Sequence, residues 1–223
     1  MNMYFLVEGK TERKVYPKWI SYFAPKLIRV NSPSDANKNN YYLISGGGFP
    51  SILDNHLRDS VNDINSVRIY DYLVLVIDTD DFSAAQKIDE VNNFVRTNDI
   101  SLLNCELIII PQVVCMETWF LGNRRIYARN PSNVEGVMYS NHYDVSRDDP
   151  ELMRVSNGFT GSTGDFHYRY LKSMLREKNI RYSKTNPTEV GKEHYVIELK
   201  NRLKTDSYSL KSMRELFCFI EQV

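Results

Sequence analysis

Short apolar runs rich in β-branched and aromatic residues recur along the chain with amphipathic stretches between them, the pattern of strands alternating with helices. Tyr4-Phe5-Leu6-Val7 reads as a first strand, followed by a polar turn and an amphipathic segment carrying Val15, Trp19, Ile20 and Phe23. Pro17 falls inside that segment and predicts a late helix start or a kink. Residues 31–40, NSPSDANKNN, read as an exposed loop. A second strand at 41–44 leads through Gly46-Gly47-Gly48 into a stretch with Ile52, Leu53, Leu57 and Val61 at helical spacing. The run 72–77 is the most apolar in the chain, as a strand buried on both faces of a parallel sheet would be. Residues 83–97 predict a helix, and 107–110 a fourth strand ending at Pro111.

Beyond residue 125 the pattern changes. Residues 125–163 are rich in Asn, Ser, Gly and Asp and poor in periodicity; three helices are predicted after them, near 165–178, 188–204 and 209–221. Asn186-Pro187-Thr188-Glu189 reads as an N-cap, a proline at the first helical position and a first-turn acid. The predicted architecture is α/β: a mostly parallel, Rossmann-like four-stranded sheet flanked by helices over 1–125, with an irregular and then helical region, 126–223, packed on it.

Composition narrows the class. The 223 residues include 42% hydrophobic and 25% charged, which suits a globular protein with a substantial core. Three scattered cysteines without a CxxC give no disulfide framework or zinc ribbon, so a reducing cytoplasm is the simplest setting. No apolar run reaches the roughly 18 residues of a membrane span, and the opening MNMYFLVEGK reads as a strand entering a turn, not a signal peptide. The 28 basic and 28 acidic residues cancel, but unevenly. Residues 1–30 carry 6 basic and 2 acidic residues, 31–100 carry 5 and 11, 101–150 carry 4 and 6, and 151–223 carry 13 and 9.

The acids fall where open α/β sheets place function, at the carboxyl ends of strands. Glu8 follows the first strand; Asp78 and Asp80 follow the most buried one. In an extended segment, alternate residues share a side, so Asp78 and Asp80 are expected to present two carboxylates to one point, with Glu8 facing it if the two strands are neighbours. Converging carboxylates repel one another unless a cation compensates them, and hard oxygen ligands suit Mg²⁺ or Mn²⁺. The plainer alternative is that strand-end acids cap helices, Asp81 being a candidate cap for 83–97.

Strand-E-G-x-T-E at 4–12, strand-GGG at 41–48 and strand-D-T-D at 72–80 together resemble the Toprim fold shared by topoisomerases, bacterial primases and OLD-family nucleases. The stretch from Pro111 to Gly122, with Glu117, Trp119, Phe120 and Leu121, is similar to the E-x-W-Φ-L-(G/A) motif, preceded by a proline, of a stand-alone, OLD-like Toprim family of bacterial phage-defence loci. The resemblance implies a metal-dependent nuclease with Glu8, Asp78 and Asp80 as metal ligands and Glu8 also in proton transfer. Glu12 and Glu117 match acids that complete a two-metal site, and Lys184 a lysine that stabilises charge on the scissile phosphate. For Glu12 the alternative is a helix-dipole role, and for Glu117 a structural acceptor near Trp119. A topoisomerase or primase reading is weaker, since it calls for further domains for which these 223 residues have no room.

Nucleic acid is the implied substrate, DNA or RNA. Lys10 is a candidate phosphate contact or a solvated turn lysine. Arg169, Lys172, Arg176, Lys178 and Arg181, with Tyr168, Tyr170 and Tyr182 interleaved, read as a nucleic-acid surface or a solvated helix face. Gly46-Gly47-Gly48 reads as a phosphate approach or a tight turn, without a Walker ending. His56, His142, His167 and His194 show no metal spacing, and no cysteine has a neighbouring base. OLD-type enzymes join Toprim to an ATPase. The alternative is therefore a Toprim binding subunit, non-catalytic or activated by a partner ATPase encoded nearby; homo-oligomerisation is left open.

Overall fold

The computed structural model describes residues 1–222. Its strands are β1 (Met3–Val7), β2 (Ile28–Arg29), β3 (Asn40–Ser45), β4 (Tyr72–Asp78) and β5 (Glu106–Gln112). Its α-helices are α1 (Lys10–Phe23), α2 (Arg58–Val67), α3 (Ala84–Thr97), α4 (Met116–Phe120), α5 (Val134–His142), α6 (Thr163–Glu177), α7 (Glu193–Thr205) and α8 (Lys211–Ile220). All strand pairs are parallel, in the order β2-β3-β1-β4-β5. β1 therefore lies in the middle, and all five of its residues are buried.

Alternation along the strands sorts the apolar residues onto two faces. Met3, Phe5, Val7, Val74 and Val76 pack with α1 and with residues of α4, α6, α7 and α8. Tyr4, Leu6, Leu73, Leu75 and Ile77 pack with α2 and with Val91 of α3. The chain runs from β1 towards β2 and β3 on one side, then crosses to β4 and β5 on the other. The order reverses between β1 and β4, which opens a crevice beyond their carboxyl ends.

The sheet has five strands, not four. The extra one, β2, is two exposed residues pairing with Asn40 and Tyr41, too short to carry a hydrophobic period. β5 continues through Pro111 to Gln112; as an edge strand it needs no outward N–H there. α1 also runs unbroken through Pro17. Ser83, not Asp81, caps α3, its hydroxyl accepting from the Gln86 N–H at 3.2 Å; Asp81 instead accepts from the Thr163 hydroxyl at 2.5 Å. The predicted helix at 188–204 begins at Glu193, because the 186–189 segment closes only a 3₁₀ turn, Glu189–Gly191, before Lys192 extends the chain.

The irregular segment contains α5, capped by the Asn133 side chain. Arg202 of α7, 1% exposed, ties that segment down. Its Nη1 donates to the Val145 carbonyl at 2.6 Å, its Nη2 to the Asp148 carbonyl at 2.7 Å, and its Nε to the Ser209 hydroxyl at 2.8 Å. The sequence shows a helical arginine but not the carbonyls it meets. Among the described residues no helix is long and apolar enough to cross a membrane.

Candidate functional site

Glu8 and Asp78 stand at the carboxyl ends of adjacent strands, on the two sides of the crevice. The main chain fixes Glu8: its Oε2 accepts from the Asp78 N–H at 2.9 Å and its Oε1 from the Phe49 N–H at 3.3 Å. Glu12, in the first turn of α1, folds back over Gly9. A Cβ at Gly9 would lie 2.6 Å from Glu12 Oε2, so the absent side chain makes room for that carboxylate.

Glu117 enters from α4 and is 2% exposed. The Tyr182 hydroxyl donates to its Oε1 at 2.8 Å, and Lys184 Nζ lies 3.8 Å from its Oε2. A tight turn, closed by the bridge between Ser183 and Asn186, carries Lys184. α1 pins that turn twice: the Thr11 hydroxyl donates to the Lys184 carbonyl at 3.0 Å, and Lys14 Nζ to the Thr185 carbonyl at 2.6 Å. Trp119 does not touch Glu117 through its polar atom; its indole N–H donates to the Ser212 hydroxyl at 2.9 Å.

Glu8, Glu12, Asp78 and Glu117 thus line one cavity of about 300 Å³, with Lys10 and Lys184 as its cations. Burial, then the charges of Glu12, Glu8 and Glu117, hold the Asp78 carboxyl well above the usual range. Burial likewise raises Glu8, against the two amides that favour its charged form, and raises Glu12, helped by Glu117 and Glu8. Burial opposes the charged form of Lys184, but Glu117 and the other carboxylates outweigh it and raise its pKa. Asp78 Oδ1 is buried without a hydrogen-bond partner.

A buried carboxylate oxygen lacking a donor, in a cavity with four acids and two cations, fits a hard divalent cation. Glu8, Glu12, Asp78 and Glu117 would hold it. Among the described residues, no three His, Cys, Asp or Glu side chains already stand close enough together to form a cage.

Asp80 is placed differently from the other acids. The strand ends at Asp78, Thr79 is buried, and Asp80 turns into the left-handed region at φ 52° while its N–H donates to the Val114 carbonyl. Two-residue alternation therefore stops one residue early, and Asp80 lies outside the cavity lining. Its charge still reaches the site, raising the Glu8 and Asp78 pKa values.

The triple glycine is a strand-to-helix turn. A Cβ at Gly46 would sit 2.5 Å from Ile52 Cβ, while Gly47 and Gly48 have φ of 75° and 98°. All three amides are engaged within the chain, by the Val7 carbonyl, the Ser45 hydroxyl and the Glu8 carbonyl.

Of the basic residues on and after α6, Arg169, Lys172, Arg176, Lys178 and Arg181 are all exposed. Arg169 lies over the Phe159 ring, Lys172 over Tyr168, and Arg176 pairs with Glu135 at 3.5 Å. Lys184, which lines the cavity, also lies over Tyr168, so this ring links Lys172 to the cavity's edge. Tyr170 and Tyr182 are buried and unavailable for stacking. His167 is buried inside α6 and remote from the carboxylates in its bonding: Nε2 meets the Met153 carbonyl at 3.0 Å and Nδ1 the Thr118 hydroxyl at 2.8 Å. His142 Nε2 meets the Arg154 carbonyl and His194 Nε2 the Glu189 carboxylate.

Lys14 and the Phe49 amide were not among the expected site residues, Thr11 was noted only as part of the E-G-x-T-E stretch, and Tyr182, expected as a stacking ring, instead holds Glu117. Compared with protein-family models, curated proteins and solved structures, the chain matches none.

Proposed function

We propose that this protein is a Toprim-type nuclease that uses Mg²⁺ or Mn²⁺ to hydrolyse phosphodiester bonds in DNA or RNA, in the cytoplasm and in bacterial anti-phage defence. The observation that carries the chemistry is the meeting of Glu8, Glu12, Asp78 and Glu117 around one cavity, with Asp78 Oδ1 unpaired and Lys184 beside Glu117. The defence role rests on the resemblance of the E-x-W-Φ-L stretch.

Hydrolysis adds water across one P–O bond: the attacking water loses a proton and the leaving oxygen gains one. A divalent cation in the cavity would offset the carboxylate charge, polarise the phosphate and acidify water. Glu8 is held rigidly by two amides, and its raised proton affinity suits it to accept the proton of the attacking water. Lys184, a cation tethered at its carbonyl by Thr11 and 3.8 Å from Glu117, would stabilise charge growing on the phosphate oxygens. Tyr182 holds Glu117 in position.

Plasmid DNA, single-stranded DNA and RNA incubated with the protein in Mn²⁺, Mg²⁺ or EDTA test the assignment. Cleavage is expected only with metal, and is expected to fall by at least about a hundredfold in Asp78→Asn and Glu8→Gln. Cleavage that persists unchanged in both variants sinks it. Robust cleavage by the chain alone also excludes a binding subunit that depends on a partner ATPase.

A further inference from the structure

The carboxylate cavity has a larger neighbour. This cleft encloses about 710 Å³ on the outer face of α1. Five cations line it: Lys10, Arg13, Lys14, Lys18 and Arg29. No carboxylate and no aromatic ring contributes to its wall. All five cations are exposed, and among the described residues none forms an ion pair. The contrast with Arg176, paired to Glu135, is direct.

Helix geometry builds this surface. Lys10, Lys14 and Lys18 follow at four-residue intervals, with Arg13 beside them, so they form one stripe along α1. Arg29 on the short edge strand β2 extends the stripe, and the turn at 185–188 forms the facing wall. The same helix sends Glu12 inward to the carboxylate cavity. Lys10 and Thr185 line both spaces, so the basic cleft runs directly into the acidic one. The excess positive charge of residues 1–30 is thereby concentrated in one place.

We propose that this cleft is the binding track for the sugar–phosphate backbone of the nucleic acid, leading the strand from α1 into the carboxylate cavity. The proposal rests on the nuclease assignment but concerns binding alone. Unpaired cations at successive positions match successive phosphates, and a wall without aromatic rings gives no stacking platform, so recognition follows the backbone and not base identity. Lys14 has a second role, since its bond to the Thr185 carbonyl holds the far wall.

The test uses the full chain in EDTA, where no cleavage occurs, and fluorescence anisotropy with a labelled single-stranded oligonucleotide of about thirty nucleotides. Lys10→Ala, Arg13→Ala, Lys18→Ala and Arg29→Ala are combined, and Lys14 is kept to preserve the wall. The four sites are exposed, so an unchanged melting temperature certifies folding. Affinity is expected to fall at least roughly tenfold near 100 mM salt, and the slope of log K against log salt to shrink by about 3, at roughly 0.7 per lost phosphate contact. A matched variant, Arg169→Ala with Lys172→Ala and Arg176→Ala, is expected to lose much less.

Unchanged affinity and slope in the α1 variant overturn the proposal. So does an equal loss per charge in the α6 variant, which would mean bulk electrostatics, or equally tight, equally variant-sensitive binding of polyglutamate, which would mean a site for any polyanion. Loss of oligonucleotide binding in a protein that cleaves nothing when metal is supplied supports the track and overturns the reading of this chain as a nuclease that acts alone.

Discussion

The buried imidazole of His167 makes acid stability a direct measure of how the site-bearing helix α4 is held. The ring is fully buried, and burial lowers its pKa from 6.5 to about 4. A carbonyl can only accept, so Met153 fixes the proton on Nε2 and leaves Nδ1 to accept from Thr118, the residue after Glu117. Below pH 6.5 the unfolded chain takes up a proton that the folded chain refuses until about pH 4. Stability from this group is therefore complete above pH 6.5 and is lost as pH falls from 6.5 towards 4. At 1.36 kcal/mol per pH unit, the loss is about 3 kcal/mol. That is a large share of the roughly 5–15 kcal/mol of a folded domain, and equals roughly 10 °C in melting temperature for a chain of this size.

His167→Gln provides the reference, because an amide can donate to Met153 and accept from Thr118 but does not titrate. Equilibrium urea unfolding of both proteins at several pH values gives the difference in stability, from which all other titrating groups cancel. The variant is expected to be the less stable at pH 7.5, and the gap is expected to close by about 3 kcal/mol by pH 4. A gap that stays constant with pH, or an imidazole seen by NMR to titrate near 6.5 in the folded state, would falsify the linkage.

Mn²⁺ is expected to raise the melting temperature more at pH 8 than at pH 6. The raised pKa values of Glu8, Glu12 and Asp78 let protons compete with metal as pH falls, and an equal shift at both values refutes the competition. Gly9→Ala is expected to weaken Mn²⁺ binding several-fold, measured by titration calorimetry, because its Cβ displaces the Glu12 carboxylate; unchanged affinity would show that Glu12 is not a ligand. Arg202→Met is expected to cost about 3–5 kcal/mol by leaving the Val145 and Asp148 carbonyls without their donor, and urea unfolding within about 1 kcal/mol of wild type contradicts this. Gly122→Val is expected to reduce soluble yield sharply, since its Cβ would meet Leu210 Cδ1 at 2.4 Å and the Trp119 carbonyl at 2.9 Å; normal yield and an unchanged melting temperature would show that the contact relaxes.

The strands that bear Glu8 and Asp78 were legible because β1 and β4 are buried on both faces, and unbroken apolar runs announce that burial. The crevice between them followed from the parallel α/β pattern. The fate of Asp80 was not legible: it depends on where β4 stops, and that is set by the approach of the Val114 carbonyl, a contact with a residue 34 positions away. Glu117 and Lys184 were indicated only by resemblance, because 66 residues separate them from each other in sequence. On α6 the cations alternate with tyrosines, which marks that helix in the sequence. The equally regular series on α1 is masked in the sequence by Glu8 and Glu12 among the same residues, and only the folded helix separates inward acids from outward bases.

α4 is five residues long, wholly buried, and stands at the junction of the sheet and the C-terminal helices. Trp119 reaches Ser212 beyond it, and Glu117 meets Tyr182 and Lys184 from beyond it. The cavity is consequently a seam: its acidic side is stitched mainly by the first half of the chain, and its cationic rim is completed by the second. A fragment ending near residue 125 would keep four acids facing one another and give up the lysine beside Glu117, an arrangement of uncompensated repulsion. Gene fusions and truncations in this protein are therefore constrained at the interior of the chain, and the stretch between α4 and α6 shares the constraint, since Glu151 accepts from the Ser212 hydroxyl that the Trp119 indole also meets.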